Sequence, residues 1–141
     1  MAITVTNRGL EVLANSNAGT IDLRIRAFKG TVPSVATIRA WNVRSDITTT
    51  EAAASGYTEK DVTGVAATEN DTNNQVEWRG DAMVVSTVAS GETWTHVAWI
   101  NYVDGTAAND EVIAIDEPPS SVSTDGGNVT LPAFIANVRQ Q

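Results

Sequence analysis

The sequence predicts a single mainly β domain over residues 1–141: an antiparallel β-sandwich or barrel, jelly-roll-like, with one or two short helices near the N-terminus. Three observations predict it. Short runs alternate apolar and polar residues with a period of two. Clusters of Gly, Asn, Asp and Pro separate those runs at close intervals. The composition is rich in Thr and Val, which suit pleated surfaces, and contains only two lysines, which is unlike a helical bundle.

The elements follow in order. Ile3–Thr6 alternates and reads as a short strand. Asn7 is placed to cap a helix from about Arg8 to Asn15, with Leu10, Leu13 and Ala14 on one face. Residues 15–19 form a turn cluster. The clearest strand is 21–29. Ile21, Leu23, Ile25 and Ala27 face one way, and Asp22, Arg24 and Arg26 the other, so one face is buried and one wet. Ser34 can cap a short helix carrying Val35, Ile38 and Trp41 at helical spacing, although Trp41 and Val43 also alternate like a strand. Glu51–Ala54 is expected to add one more helical turn, stopped by Gly56.

From Val62 onward the pattern is strand, turn, strand. Val62–Thr68 leads through the polar turn 70–74 into Val76 and Trp78, and Met83–Val88 is a further run. Thr93–Val103 places Trp94, His96, Ala98, Ile100 and Tyr102 on one face. Asp104-Gly105 opens a hairpin connection that extends to Asp110, and Glu111–Asp116 returns. Asp125-Gly126-Gly127 turns the chain into Val129–Val138, interrupted at Pro132.

Bulk properties exclude several functions. With a formal charge of −8 and nine scattered basic residues, the chain has no basic patch to replace counterions on nucleic acid. There is no cysteine for disulfide or thiolate chemistry. No apolar run approaches the roughly 18 residues of a membrane span. The N-terminal residues lack the basic region and apolar core of a signal peptide, so synthesis in a cytoplasm is expected.

Nothing in the sequence spells catalysis. His96 is the one histidine, set mid-strand between Trp94 and Trp99 with no nucleophile elbow nearby, so a packed strand histidine is expected. One histidine without cysteine does not make a zinc site. Asp71-Thr72-Asn73 begins like a calcium loop but lacks its glycine, and Ala82 stands where the bidentate Glu belongs. Asp104 and Asp110 flank a loop read as a solvated hairpin. The neighbouring carboxylates Asp110-Glu111 and Asp116-Glu117 point to opposite faces of a strand, unlike a glycosidase pair. No phosphate-binding glycine motif is present. Arg79-Gly80-Asp81 reads as a strand-end turn, and the sequons at Asn70 and Asn128 carry meaning only on a secretory route. Trp41, Trp78, Trp94 and Trp99 are candidate interface anchors, with core filling as the alternative. On one regular strand, Trp94 and Trp99 have opposite parity, so one of them would face away from a single core.

Several short segments occur in a distinctive order: Gly19-Thr20-Ile21-Asp22-Leu23-Arg24-Ile25-Arg26-Ala27-Phe28, Trp41-Asn42, Ser55-Gly56-Tyr57-Thr58, Thr68-Glu69-Asn70-Asp71-Thr72-Asn73, Ala98-Trp99-Ile100-Asn101-Tyr102-Val103-Asp104-Gly105 and Val112-Ile113-Ala114-Ile115-Asp116. In that order the chain resembles the capsid decoration (cement) proteins of tailed bacteriophages. The resemblance covers most of the chain; the run from Leu131 to Gln141 departs from it. It implies a β-barrel or sandwich with small helices, often trimeric, seated on the outer shell of the head against the major capsid protein. It implies no enzyme activity and no cofactor, and no nucleic-acid or membrane partner is expected. The alternatives are a tail, neck or fibre-base protein of the same particle and, more remotely, a carbohydrate-binding β-sandwich using exposed tryptophan.

Overall fold

A computed structural model describes residues 3–139. Its strands are β1 (Ile3–Val5), β2 (Leu23–Lys29), β3 (Thr50–Glu51), β4 (Lys60–Asp61), β5 (Ala66–Asn70), β6 (Gln75–Gly80), β7 (Met83–Val85), β8 (Thr93–Trp94), β9 (His96–Asn101), β10 (Glu111–Asp116), β11 (Val122–Ser123), β12 (Val129–Leu131) and β13 (Phe134–Arg139). Helices α1 (Asn7–Asn15) and α2 (Val35–Arg39) and a 3₁₀ turn at Arg44–Asp46 complete the set. The fold is mainly β, antiparallel and sandwich-like, with both short helices in the N-terminal third.

The main sheet runs β1-β10-β9-β2-β3, with β4 also pairing β2. A second sheet, β13-β6-β5, and two ribbons, β12-β7 and β11-β8, complete the sandwich. The larger core lies between these layers. Leu23, Ile25 and Ala27 of β2 and Val97 and Trp99 of β9 meet Trp78, Phe134 and Ala136 of the second sheet there. A smaller core lies on the reverse of the main sheet, where Phe28, Ala98, Ile100, Val112 and Ile115 are capped by Ile38 and Trp41. At β9 and β10 the main sheet is thus covered on both faces, which explains the unbroken buried run from His96 to Ile100.

Alternation in the sequence translates directly where strands are regular. In β2 the predicted face Leu23, Ile25, Ala27 is buried, and β13 alternates buried and exposed along its whole length. The wet face of β2 carries an ion-pair network: Arg24 to Asp22, Glu59 and Asp61, and Arg26 to Glu51 and Glu59. Arg24 also lies 3.6 Å over the ring of Tyr102.

Several local expectations are corrected. The cap of α1 is Thr6, whose Oγ1 accepts from Gly9 N at 2.7 Å. Its buried face is Gly9, Val12 and Leu13, because the helix docks through Gly9 on β10; Leu10 and Ala14 face outward. Ser34 does cap α2, but the helix ends at Arg39 and leaves Val35 exposed. Residues 50–51 pair with β2 as a strand instead of forming a helical turn. The run 62–68 is broken at Gly64, which has a φ of 64°.

The strand predicted over 93–103 is two strands. The break at Thr95, whose Oγ1 donates to the Gly30 carbonyl at 2.7 Å, resets the parity. Trp94 and Trp99 therefore share the larger core. A bulge acts similarly in β10. Val112 pairs with Ile100 and Ala114 with Trp99, so Ile113 is the extra residue, and Ile113 and Ala114 both enter the larger core.

Candidate functional site

All four tryptophans offered as anchors lie inside the protomer. Trp41 is in the smaller core and Trp78, Trp94 and Trp99 are in the larger one, at 5, 1, 3 and 0% exposure. As positioned, they are core side chains, and none presents a ring face for stacking on a sugar.

The polar residues that suggested chemistry hold loops in place. His96 is fully buried and stacked on Phe28, with ring centroids 5.7 Å apart. Its Nε2 pairs with Thr49 Oγ1 at 2.8 Å and its Nδ1 with Thr95 Oγ1 at 2.7 Å. Burial pushes its pKa down to about 4, so the ring is neutral at neutral pH. Asp110 is also fully buried. Its Oδ1 accepts from the backbone N–H groups of Val103, Asp104 and Gly105 at 2.9–3.2 Å, and Arg44 approaches its other oxygen at 3.3 Å. The hairpin from 102 to 110 is therefore built around a buried carboxylate that takes its turn's donors. Adjacent Glu111, the first residue of β10, points elsewhere, to Arg8 at 2.5 Å and Asn101 at 3.0 Å; Asp110 lies in the loop before the strand, so the two are not the strand neighbours expected.

Sequence reasoning did not single out Glu92. It receives Lys29 at 2.6 Å, the indole N–H of Trp94 at 3.0 Å and the backbone N–H of Ala53 at 3.1 Å. One carboxylate thereby ties β2, β8 and the segment after β3 together. Its burial opposes ionisation, but these donors outweigh it and hold the pKa at about 2. No local pattern marks such a residue, because two of these three partners, Ala53 and Lys29, lie 39 and 63 positions away.

The remaining motifs fall on ordinary structure. Arg79 pairs with Glu77, Gly80 is buried in β6, and Asp81 accepts from Thr63 Oγ1 at 2.9 Å; the tripeptide is a strand end. Asp71 lies in the turn between β5 and β6, where Asn70 Oδ1 accepts from Asn73 N at 3.2 Å. Among the described residues no three His, Asp or Glu side chains gather as a metal-holding group. No helix there is long and apolar enough to cross a membrane.

One surface region gathers exposed apolar side chains. Strand β1 borders an open depression of about 570 Å³ lined by the apolar Ile3, Val5, Leu10 and Val35 together with the polar Thr4, Asn7, Arg39 and Asn137. Leu10 and Val35 are 41% and 49% exposed, and Ile3 and Val5 are half-buried. Among the described residues only β10 pairs with β1, and α2 and β13 pack beside it. Exposed apolar side chains gathered in a surface depression are the usual chemistry of a protein contact. Comparison with family models, curated proteins and solved structures finds no match to this chain.

Proposed function

We propose that the chain is a non-enzymatic structural subunit of a tailed-phage particle, a decoration protein that seats on the outer capsid surface and stabilises the head lattice. The single observation that carries the reading is the exposure of Leu10 and Val35 in the depression beside β1, on a chain of net charge −8. Leu10 and Val35 keep 41% and 49% of their surface exposed there and suit burial against another subunit. The ordered segments that resemble decoration proteins add the identity of that subunit, the major capsid protein.

Two further features support it. His96, Asp110 and Glu92 are committed to holding loops against sheets, which gives a rigid, chemically quiet module. Rigidity matters for a clamp, since ordering costs are then met in folding and not on attachment. The charge of −8 keeps the exposed surface away from packaged DNA and keeps particles dispersed. A homotrimer would match the local threefold symmetry of a shell, and a modest contact repeated over the lattice stabilises it by mass action.

Co-sedimentation with heads assembled without this chain tests the reading. Saturable binding that Leu10→Glu or Val35→Glu weakens at least tenfold is expected. Binding to tails and not to heads would support a tail or neck position instead.

A further inference from the structure

A cavity of about 210 Å³ lies between the ribbons β11-β8 and β12-β7. Its place follows from the pairing. Val122 lies opposite Trp94 in one ribbon, Val129 opposite Val85 and Leu131 opposite Met83 in the other, and the two ribbons are separate sheets. Trp94, Val97, Val129 and Leu131, all buried, form the base. Exposed Ala82 and half-buried Pro118, Val122 and Pro132 frame the mouth.

The polar side-chain atoms nearest the base are committed elsewhere. The indole N–H of Trp94 donates to Glu92 at 3.0 Å. His96 backs the cavity but is fully buried, so it does not open into it. Thr95 gives its hydroxyl hydrogen to the Gly30 carbonyl and therefore accepts from His96 Nδ1, which leaves Nε2 to accept from Thr49. Thr130 is exposed and alternates to the face of β12 opposite Val129 and Leu131. The base thus offers a guest carbon surface and no side-chain hydrogen bond. An ordered water needs about two to four polar partners, and the side chains of this base supply none.

We infer that this cavity is a binding site for a small uncharged ring compound without a hydrogen-bonding group, of about the size of toluene. Apolar cavities of roughly 150 Å³ take one benzene ring, so 210 Å³ leaves room for a small substituent and not for a second ring. The ring packs on Trp94, Val129 and Leu131. A hydroxyl or a charge carried to the base would lose its hydration there and find no partner.

The test is a titration of the full chain with toluene, followed through the methyl ¹H–¹³C signals and through nuclear Overhauser effects from toluene protons to the protein. The expected result is saturable binding with a Kd of about 1 mM, with cross-peaks to the methyls of Val122, Val129 and Leu131. Phenol has nearly the same shape and binds about tenfold more weakly, because its hydroxyl finds no partner at the base. Ala82→Phe and Val122→Phe narrow the mouth from different strands. At least one of them weakens toluene binding by about tenfold or more, while the indole signals of the four tryptophans stay dispersed and report an intact fold. No saturable binding up to about 5 mM toluene, well above a Kd of about 1 mM, would overturn the inference. So would cross-peaks only to methyls elsewhere, equal or tighter binding of phenol, or undiminished binding in both folded variants.

Discussion

Gly9 of α1 lies directly against Ile113 of β10: a β-carbon at position 9 would sit 2.0 Å from the Ile113 carbonyl oxygen. That oxygen belongs to the bulged residue and already accepts from Thr6 N at 3.0 Å. The helix is thus locked to the sheet where the sheet is irregular. Gly9→Ala forces the helix off the bulge, and a loss of about 3 kcal/mol, at the upper end for overpacking, is expected in urea denaturation. Gly19→Ala is the control. Its nearest neighbour would be Asn17 Oδ1 at 3.4 Å, so an effect within about 0.5 kcal/mol is expected.

Thr6 extends the same junction. Its hydroxyl donates to the Val112 carbonyl at 2.5 Å and accepts from Gly9 N at 2.7 Å, all in a fully buried position. Thr6→Val preserves shape and removes both bonds. A loss of about 1–2 kcal/mol is expected, with α1 fraying first in hydrogen exchange.

Acid stability separates two groups. His96 titrates near 4 in the folded chain against 6.5 for a free histidine, so the unfolded chain binds the extra proton. Its contribution is complete above about pH 6.5 and is lost as pH falls towards 4. Glu92 is held near 2 against 4.5, so its contribution is complete above about pH 4.5 and is lost as pH falls towards 2. Urea midpoints measured against pH should therefore decline in two stages. His96→Gln flattens the first stage and Glu92→Gln the second.

Surface substitutions at the proposed contact should separate binding from folding. Leu10→Glu and Val35→Glu change side chains that are 41% and 49% exposed, so stability should move by no more than about 0.5 kcal/mol. Attachment to heads should weaken at least tenfold. A matching loss of stability would place these residues in the fold and not at a contact.

The sequence made β2, the hairpin into β10 and the break at Pro132 legible because their side chains alternate or their turns carry specific residues. It misplaced the inner face of α1. Leu10 is a good core residue by type, but Gly9 wins the buried side because only a residue without a side chain lets the helix touch the bulge. The parity argument for Trp94 and Trp99 failed for a related reason: the break at Thr95 is held by the Gly30 carbonyl, 65 positions away. Of the candidate contact, the residues were visible but their exposure was not.

Copy number in purified particles, measured by quantitative mass spectrometry against the major capsid protein, tests the central claim most directly. The account predicts copies in fixed ratio to that protein and comparable with it in number, as a decorated lattice requires. A dozen copies or fewer, or absence from the particle, would contradict it.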